Sequence, residues 1–317
     1  MGAISQERGD STAAAQPPRA GEINIDHISH FVPDIASASL ALEKLGFALT
    51  PLSEQYHRLQ PDAPLTPAGS ANRCIMLKRG YLEFLTPTAE TGMGAQLRAA
   101  LARYVGVHVI AFGTSSPDAD HKRLADGGFT PAPPVALQRE IGTPDGERTA
   151  RFTVVRVPPD TMPEGRIQYC AQLTPEYLWQ PRWLGHENRV TALRAVLLCV
   201  TDPAQAAQRY GRYTGLTPVN ERGHWQIDTA RGRLLISDAG TIERAFNVEA
   251  AMPPSIVAPS IVGYALASDD LAATRQVLAA SGYPHGELPN DRCYVVPPGS
   301  LGGILVYENA DAPPFAL

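Results

Sequence analysis

The chain has 317 residues, 44% of them hydrophobic and 19% charged, with a formal net charge of −5. That is enough apolar material for two ordinary domains and excludes wholesale disorder. No Lys/Arg run is present, so phosphate backbones and anionic lipid have no electrostatic footprint to meet, and nucleic acid and membrane are excluded as partners. The apolar run around Ala195 to Val200 is too short to span a bilayer, and a cytoplasmic location is expected.

Residues 1–21 are polar and Ala/Pro-rich and lack a secretory apolar core, so they read as a disordered leader. Met1-Gly2 would suit lipidation, but the position where that motif wants a hydroxyl holds Gln6.

From residue 22 the chain repeats itself. NIDHISHFVPDIASASLALEKLGFALTP, VGVHVIAFGTSSPDADHKRLADGGFTP, ALRAVLLCVTDPAQAAQRYGRYTGLTP and IVGYALASDDLAATRQVLAASGYP share one order: an apolar strand, a short amphipathic helix, then Gly. Apolar positions such as Leu40, Leu42 and Leu45, or Leu271, Val277 and Leu278, give each helix a stripe facing a sheet. Gly46, Gly128, Gly215 and Gly282 suit the left-handed position that closes a helix. Further strands follow each Gly, as in NRCIMLKRGYLEFLTP and GRIQYCAQLTP. The unit is therefore βαβββ and the fold class α+β.

One unit leaves a sheet face bare, so the four are expected to pair, first with second and third with fourth, into two domains with curved mixed sheets. These span residues 22–175 and 191–317. The stretch 176–190, covering most of TPEYLWQPRWLGHENR, is the linker, with Trp179, Trp183 and His186 available either to pin it to the core or to close a pocket. If the first unit instead packs on the fourth, Glu308 joins its site. Cys74, Cys170, Cys199 and Cys293 lack CxxC spacing and sit in apolar strands, as reduced core residues do.

Aligning the first strands on the helix-closing Gly places His27, His108, Ala195 and Gly263 together. Two histidines at one repeated position, in a chain with only 8, are a candidate chelating pair. Alternatively each is a hydrogen-bonded core histidine, His27 toward Ser29 or backbone. His30 should face the other side of the strand. Glu83, flanked by Leu82 and Phe84, must be neutralised or point into a cleft. Counting back from the shared Leu-Thr-Pro, its counterpart is Ala171.

This arrangement resembles the vicinal oxygen chelate superfamily, in particular glyoxalase-like domains with a segment like Gly69-Ser70-Ala71-Asn72-Arg73 followed by GYLEFL. The likeness covers most of residues 22–190. It implies a divalent metal (Fe, Mn, Zn or Ni) bound by His27, Glu83 and His108, with Ala171 at the fourth ligand position. Because Ala171 cannot act as a base, a strict glyoxalase I is disfavoured, while a lyase, isomerase or ring-cleaving dioxygenase acting on a small oxygenated molecule stays open. Glu83 and His57 are candidates for acid–base work, and Asn72 and Arg73 for substrate contact. The alternatives are a metal-free small-molecule binding protein of the bleomycin-resistance type, or an interaction protein with a vestigial cleft. The C-terminal pair, with Ala195 and Gly263, reads as structural or as a second wall of the pocket. Self-association into a homodimer is left open.

Overall fold

The computed structural model describes residues 12–57, 66–246 and 258–317. The first unit comprises β1 (Asn24–Phe31), α1 (Ile35–Lys44), β2 (Ser53–His57), β3 (Thr66–Met76) and β4 (Tyr81–Pro87). Through α2 (Gly92–Leu101) it leads to β5 (Gly106–Gly113), α3 (Pro117–Asp126), β6 (Val135–Thr143), β7 (Gly146–Arg156) and β8 (Arg166–Gln172). The connection begins with α4 (Pro175–Leu178). The third unit is β9 (Val190–Cys199), α5 (Pro203–Thr214), β10 (Val219–Glu221), β11 (His224–Asp228) and β12 (Arg233–Ser237). After α6 (Ala239–Phe246) come β13 (Ser260–Ser268), α7 (Leu271–Ser281), β14 (His285–Leu288), β15 (Arg292–Val295) and β16 (Ile304–Asn309).

Local chemistry sets the repeat. The carboxylates of Asp34, Asp202 and Asp270 accept hydrogen bonds from first-turn N–H groups of α1, α5 and α7. All four expected glycines adopt positive φ, between +73° and +84°. Leu42 of α1 and Leu45, which caps it, are fully buried, whereas Leu40 is 63% exposed, so the stripe is narrower than the spacing of leucines suggests.

In each half the first strands of two units pair antiparallel, β1 with β5 and β9 with β13, and each lies parallel to the last strand of its own unit. The first unit therefore pairs with the second. In the N-terminal half a pseudo-twofold passes through the pair Ile28↔Ile110. The halves join edge to edge at Ile261↔Val107 in one curved, unclosed sheet.

The convex faces of both halves and their helices form one core. It runs from Ile28, Phe84 and Phe112 through Leu42, Leu124, Tyr213 and Leu278 to Val196, Ile236 and Leu266. His30 lies in it, facing away from His27, with Nδ1 3.3 Å from the Leu301 carbonyl and Nε2 3.2 Å from Tyr264 Oη. Arg209 and Tyr210 hydrogen-bond the buried Glu164 across the same seam. The four cysteines are free and buried.

The two concave faces differ. That of the C-terminal half is filled by Ile242 and Phe246 of α6 and by Phe315. Arg194 donates to the carbonyls of Ala310 and Ala312, Arg292 to that of Pro313, and both face the buried Glu308. Among the described residues, these side chains and the C-terminal segment cover Glu308. The concave face of the N-terminal half carries separate apolar clusters around Phe31 and Leu97, around Tyr81 and Trp179, and around Ala111 and Cys170. The polar site lies among them.

The expected leader is in part structured. Ala13 packs in the cluster with Trp179, and Gln16 is buried, donating to the Lys78 carbonyl while its Oε1 accepts from Gly80 N–H. Residues 1–11 lie outside the described residues.

Candidate active site

His27 sits on the concave face of β1. Its Nδ1 is 2.7 Å from Oδ2 of Asp26, and its ring stacks on Tyr81 with centroids 4.3 Å apart. Asp26 also accepts from Gln172 Nε2 at 2.8 Å and is 1% exposed. A carboxylate can only accept, so in the neutral imidazole Nδ1 carries the hydrogen and Nε2 the lone pair. Nε2 makes no hydrogen bond among the described residues.

This contact between chain neighbours depends on a β-bulge. The β1–β5 register steps from Ile25↔Phe112 to His27↔Ala111, leaving Asp26 unpaired, so the residue that alternation would send to the convex side turns toward His27.

Glu83 lies on the adjacent strand, opposite Ser29. Its oxygens accept from Ser29 Oγ at 2.7 Å and from Asn72 Nδ2 at 2.5 Å. Asn72, expected to contact substrate, thus holds Glu83 in place. Arg73 points the other way: its Nε donates to the Thr50 carbonyl at 2.9 Å and it faces Glu43 at 3.7 Å. It is not part of the site. His57 ends β2 opposite Thr66, and its side chain lies outside the described residues.

His108 does not join His27 and Glu83. Its ring stacks on Tyr104 and Phe31, with centroids 4.0 and 4.9 Å away, and Nε2 lies 2.9 Å from the Tyr104 carbonyl. Burial pushes its pKa down to about 4. Equal counting back from Gly46 and Gly128 brings Val109, not His108, to the position of His27, and the pseudo-twofold agrees. Likewise the partner of Glu83 is Gln168: Ser29 faces Glu83 as Ala111 faces Gln168. Ala171 pairs with Thr153, and its neighbour Cys170 takes the concave face.

Sequence reasoning missed the basic residues of this face. Arg139 pairs with the concave Ala150, Arg156 with Gln168 and Arg166 with Val109. Arg156 Nε donates to Gln168 Oε1 at 3.0 Å, and Arg166 to Gln96 Oε1 at 3.0 Å. The signal was available in GRIQYCAQ, where Arg166, Gln168 and Gln172 alternate with apolar residues, as on a strand with one polar face. Trp179 both pins the linker, its Nε1 donating to the Leu77 carbonyl at 3.1 Å, and forms the apolar end of the cleft against Tyr81. His186 accepts from Ala48 N–H and lies 2.9 Å from the Met76 carbonyl.

Among the described residues, no three His, Cys, Asp or Glu side chains are placed to hold a metal ion. His27 and Glu83 share a face, but the implied third ligand is turned into a stack of rings, and Val109 and Gln168 occupy the symmetry-related positions. The donor set does not fit the three-ligand centre that the resemblance implies. Thiolate chemistry is equally unsupported, since burial pushes Cys74 up to about 12 and Cys170 well above the usual thiol range.

The glyoxalase-like domain family model matches residues 25–214, and the chain belongs to that family, within the vicinal oxygen chelate superfamily. No curated protein matches the sequence significantly. Among solved structures, a hypothetical protein from Staphylococcus aureus is similar at TM-score 0.61 and 11% identity, over 90% of this chain and 99% of that one. A mutant of 4-hydroxymandelate synthase from Streptomyces coelicolor is similar at TM-score 0.53 and 13% identity, over 92% and 95% of the two chains. A fusion of a xylose isomerase-like TIM barrel with a 4-hydroxyphenylpyruvate dioxygenase matches at TM-score 0.52 and 13% identity, over 95% of this chain and 51% of that one. At these identities the likeness is one of fold. No helix among the described residues is long and apolar enough to cross a membrane.

Proposed function

We propose that the protein is an enzyme that moves a proton on a small oxygenated substrate bound in the N-terminal concave face. The observation that carries this reading is the hydrogen bond between Asp26 and His27, which fixes the imidazole tautomer and leaves Nε2 as a base. Asp26 orients the ring and stabilises the imidazolium that forms when Nε2 takes a proton, while Gln172 steadies Asp26. Glu83, held by Ser29 and Asn72, is a second fixed carboxylate on the same face and can return or accept a proton. Burial beneath α2 and the Trp179 cluster limits water around these groups.

The test is solvent exchange followed by proton NMR. Small 2-oxo and 2-hydroxy acids are incubated in deuterated buffer with wild type and with His27→Gln. Deuterium uptake next to the carbonyl, lost in the variant, is expected. Binding of these compounds with no exchange in either protein would turn the reading into one of ligand binding alone.

A further inference from the structure

We propose that the substrate of this cleft carries a carboxylate, received by Arg156 and Arg166 beside Gln168. The inference rests on the N-terminal concave face being the active site and adds the class of molecule it takes.

Both arginines project from neighbouring strands onto one face, since Arg156 pairs with Gln168 two residues along β8 from Arg166. Neither forms an ion pair among the described residues, and their hydrogen-bond partners are the neutral amides of Gln168 and Gln96. The Glu83 carboxylate attracts Arg166 without forming an ion pair with it, its oxygens accepting instead from Ser29 and Asn72. Burial and the charge of Arg166 hold Arg156 below the ordinary guanidinium range, as expected for two cations sharing a poorly hydrated wall. Arg139, on β6 of the same hairpin as Arg156, adds a third charge over the Phe152 ring, and its buried Nε has no hydrogen-bond partner among the described residues.

One hydrogen bond each to a neutral amide leaves both guanidinium groups with donors to spare. It is what an anion-binding wall requires: planar guanidinium forks whose donors are not already spent on acids. The surrounding Val109, Leu85 and Val154 suit an organic body rather than a bare inorganic ion.

The experiment compares thermal shift and titration calorimetry at low ionic strength with benzoate and phenylacetate, their neutral amides, and inorganic phosphate. Proteins are wild type, Arg156→Gln, Arg166→Gln, His27→Gln and the exposed control Arg212→Gln. The carboxylates should bind and raise the melting temperature while the amides do not. Each cleft arginine variant should weaken binding about tenfold or more, the scale of one charge-assisted contact. The His27 and Arg212 variants should retain it. Amides stabilising as well as acids would overturn the charge assignment and leave the cleft reading standing. Phosphate binding without either acid would overturn the carboxylate. No stabilisation by any compound would overturn the carboxylate wall, and the deuterium exchange decides the proton-transfer reading separately. Should an arginine variant fail to fold, the acid-versus-amide comparison on wild type decides alone.

Discussion

Asp26 and His108 occupy the same place in the two central strands: each is the bulge residue of its strand, related by the pseudo-twofold through Ile28 and Ile110. A bulge turns an extra side chain toward a face that alternation would deny it. In β1 that side chain is a carboxylate, which captures the imidazole of the next residue. In β5 it is an imidazole, which is captured by the rings of Phe31 and Tyr104. One backbone device therefore yields a chemical group in one unit and a packing group in the other.

The first consequence concerns the Asp26–His27 pair. Replacing His27 with Gln should lower turnover by about 10²–10⁴-fold, the usual contribution of a positioned acid–base group. Asp26→Asn should lower it less, because the ring loses the acceptor that fixes its tautomer. Equal activity of the Asn variant and wild type at every pH would remove Asp26 from the mechanism.

The donor set makes a second prediction. Elemental mass spectrometry of purified wild type and His27→Ala should find no stoichiometric Fe, Mn, Zn or Ni in either, including after reconstitution, and chelator treatment should leave substrate binding unchanged. Near-stoichiometric metal in wild type that disappears with His27 would contradict the two-donor geometry.

His108 should behave as a core residue. His108→Ala removes a ring stacked on two others and leaves the Tyr104 carbonyl without its donor, which should cost about 2–4 kcal/mol in a chemical melt. Activity of the folded variant should stay within a few-fold of wild type. A stable His108→Ala protein without activity would return His108 to the site.

Stability should fall on acidification through the buried histidines. Burial holds His30 down at about 3 and His108 at about 4. Above the ordinary histidine value, about 6.5, neither the folded nor the unfolded chain carries these protons. Below it the unfolded chain takes them up and the folded chain does not, so stability is lost as pH falls toward the folded values, by at most about 1.4 kcal/mol per pH unit for each group. Between about pH 7 and pH 5, His30→Gln should therefore lose about 2 kcal/mol less than wild type in urea melts. Parallel losses in the two proteins would mean that His30 is not held neutral.

The repeat, the fold class and the helix ends were legible because Gly46, Gly128, Gly215 and Gly282 mark them in letters, and all four take the left-handed conformation. The opposite orientation of His30 and His27 followed from strand alternation and held. The site was legible only in part. His27 and Glu83 share a face, yet a bulge leaves no mark in sequence, so neither the turn of Asp26 toward His27 nor the exit of His108 could be read. Ala171 was matched to Glu83 through the Leu-Thr-Pro that follows both strands, but strand pairing puts Gln168 there. Arg156 and Arg166 were visible letter by letter, and only the register brings them beside Glu83's strand pair.

The single core that runs through both halves also separates the unit of inheritance from the unit of folding. Residues 22–175 repeat in pattern as residues 191–317 do, but Ile28, Phe84 and Phe112 of the first share their dry interior with Val196, Ile236 and Leu266 of the second. A gene cut at the linker would strip both pieces of the partner that keeps water from their convex faces, and His30 would lose Leu301 and Tyr264. The cup that holds His27 and Glu83 and the one filled by Phe246 and Phe315 are thus two ends of one packed body, the second half backing the first through their common interior.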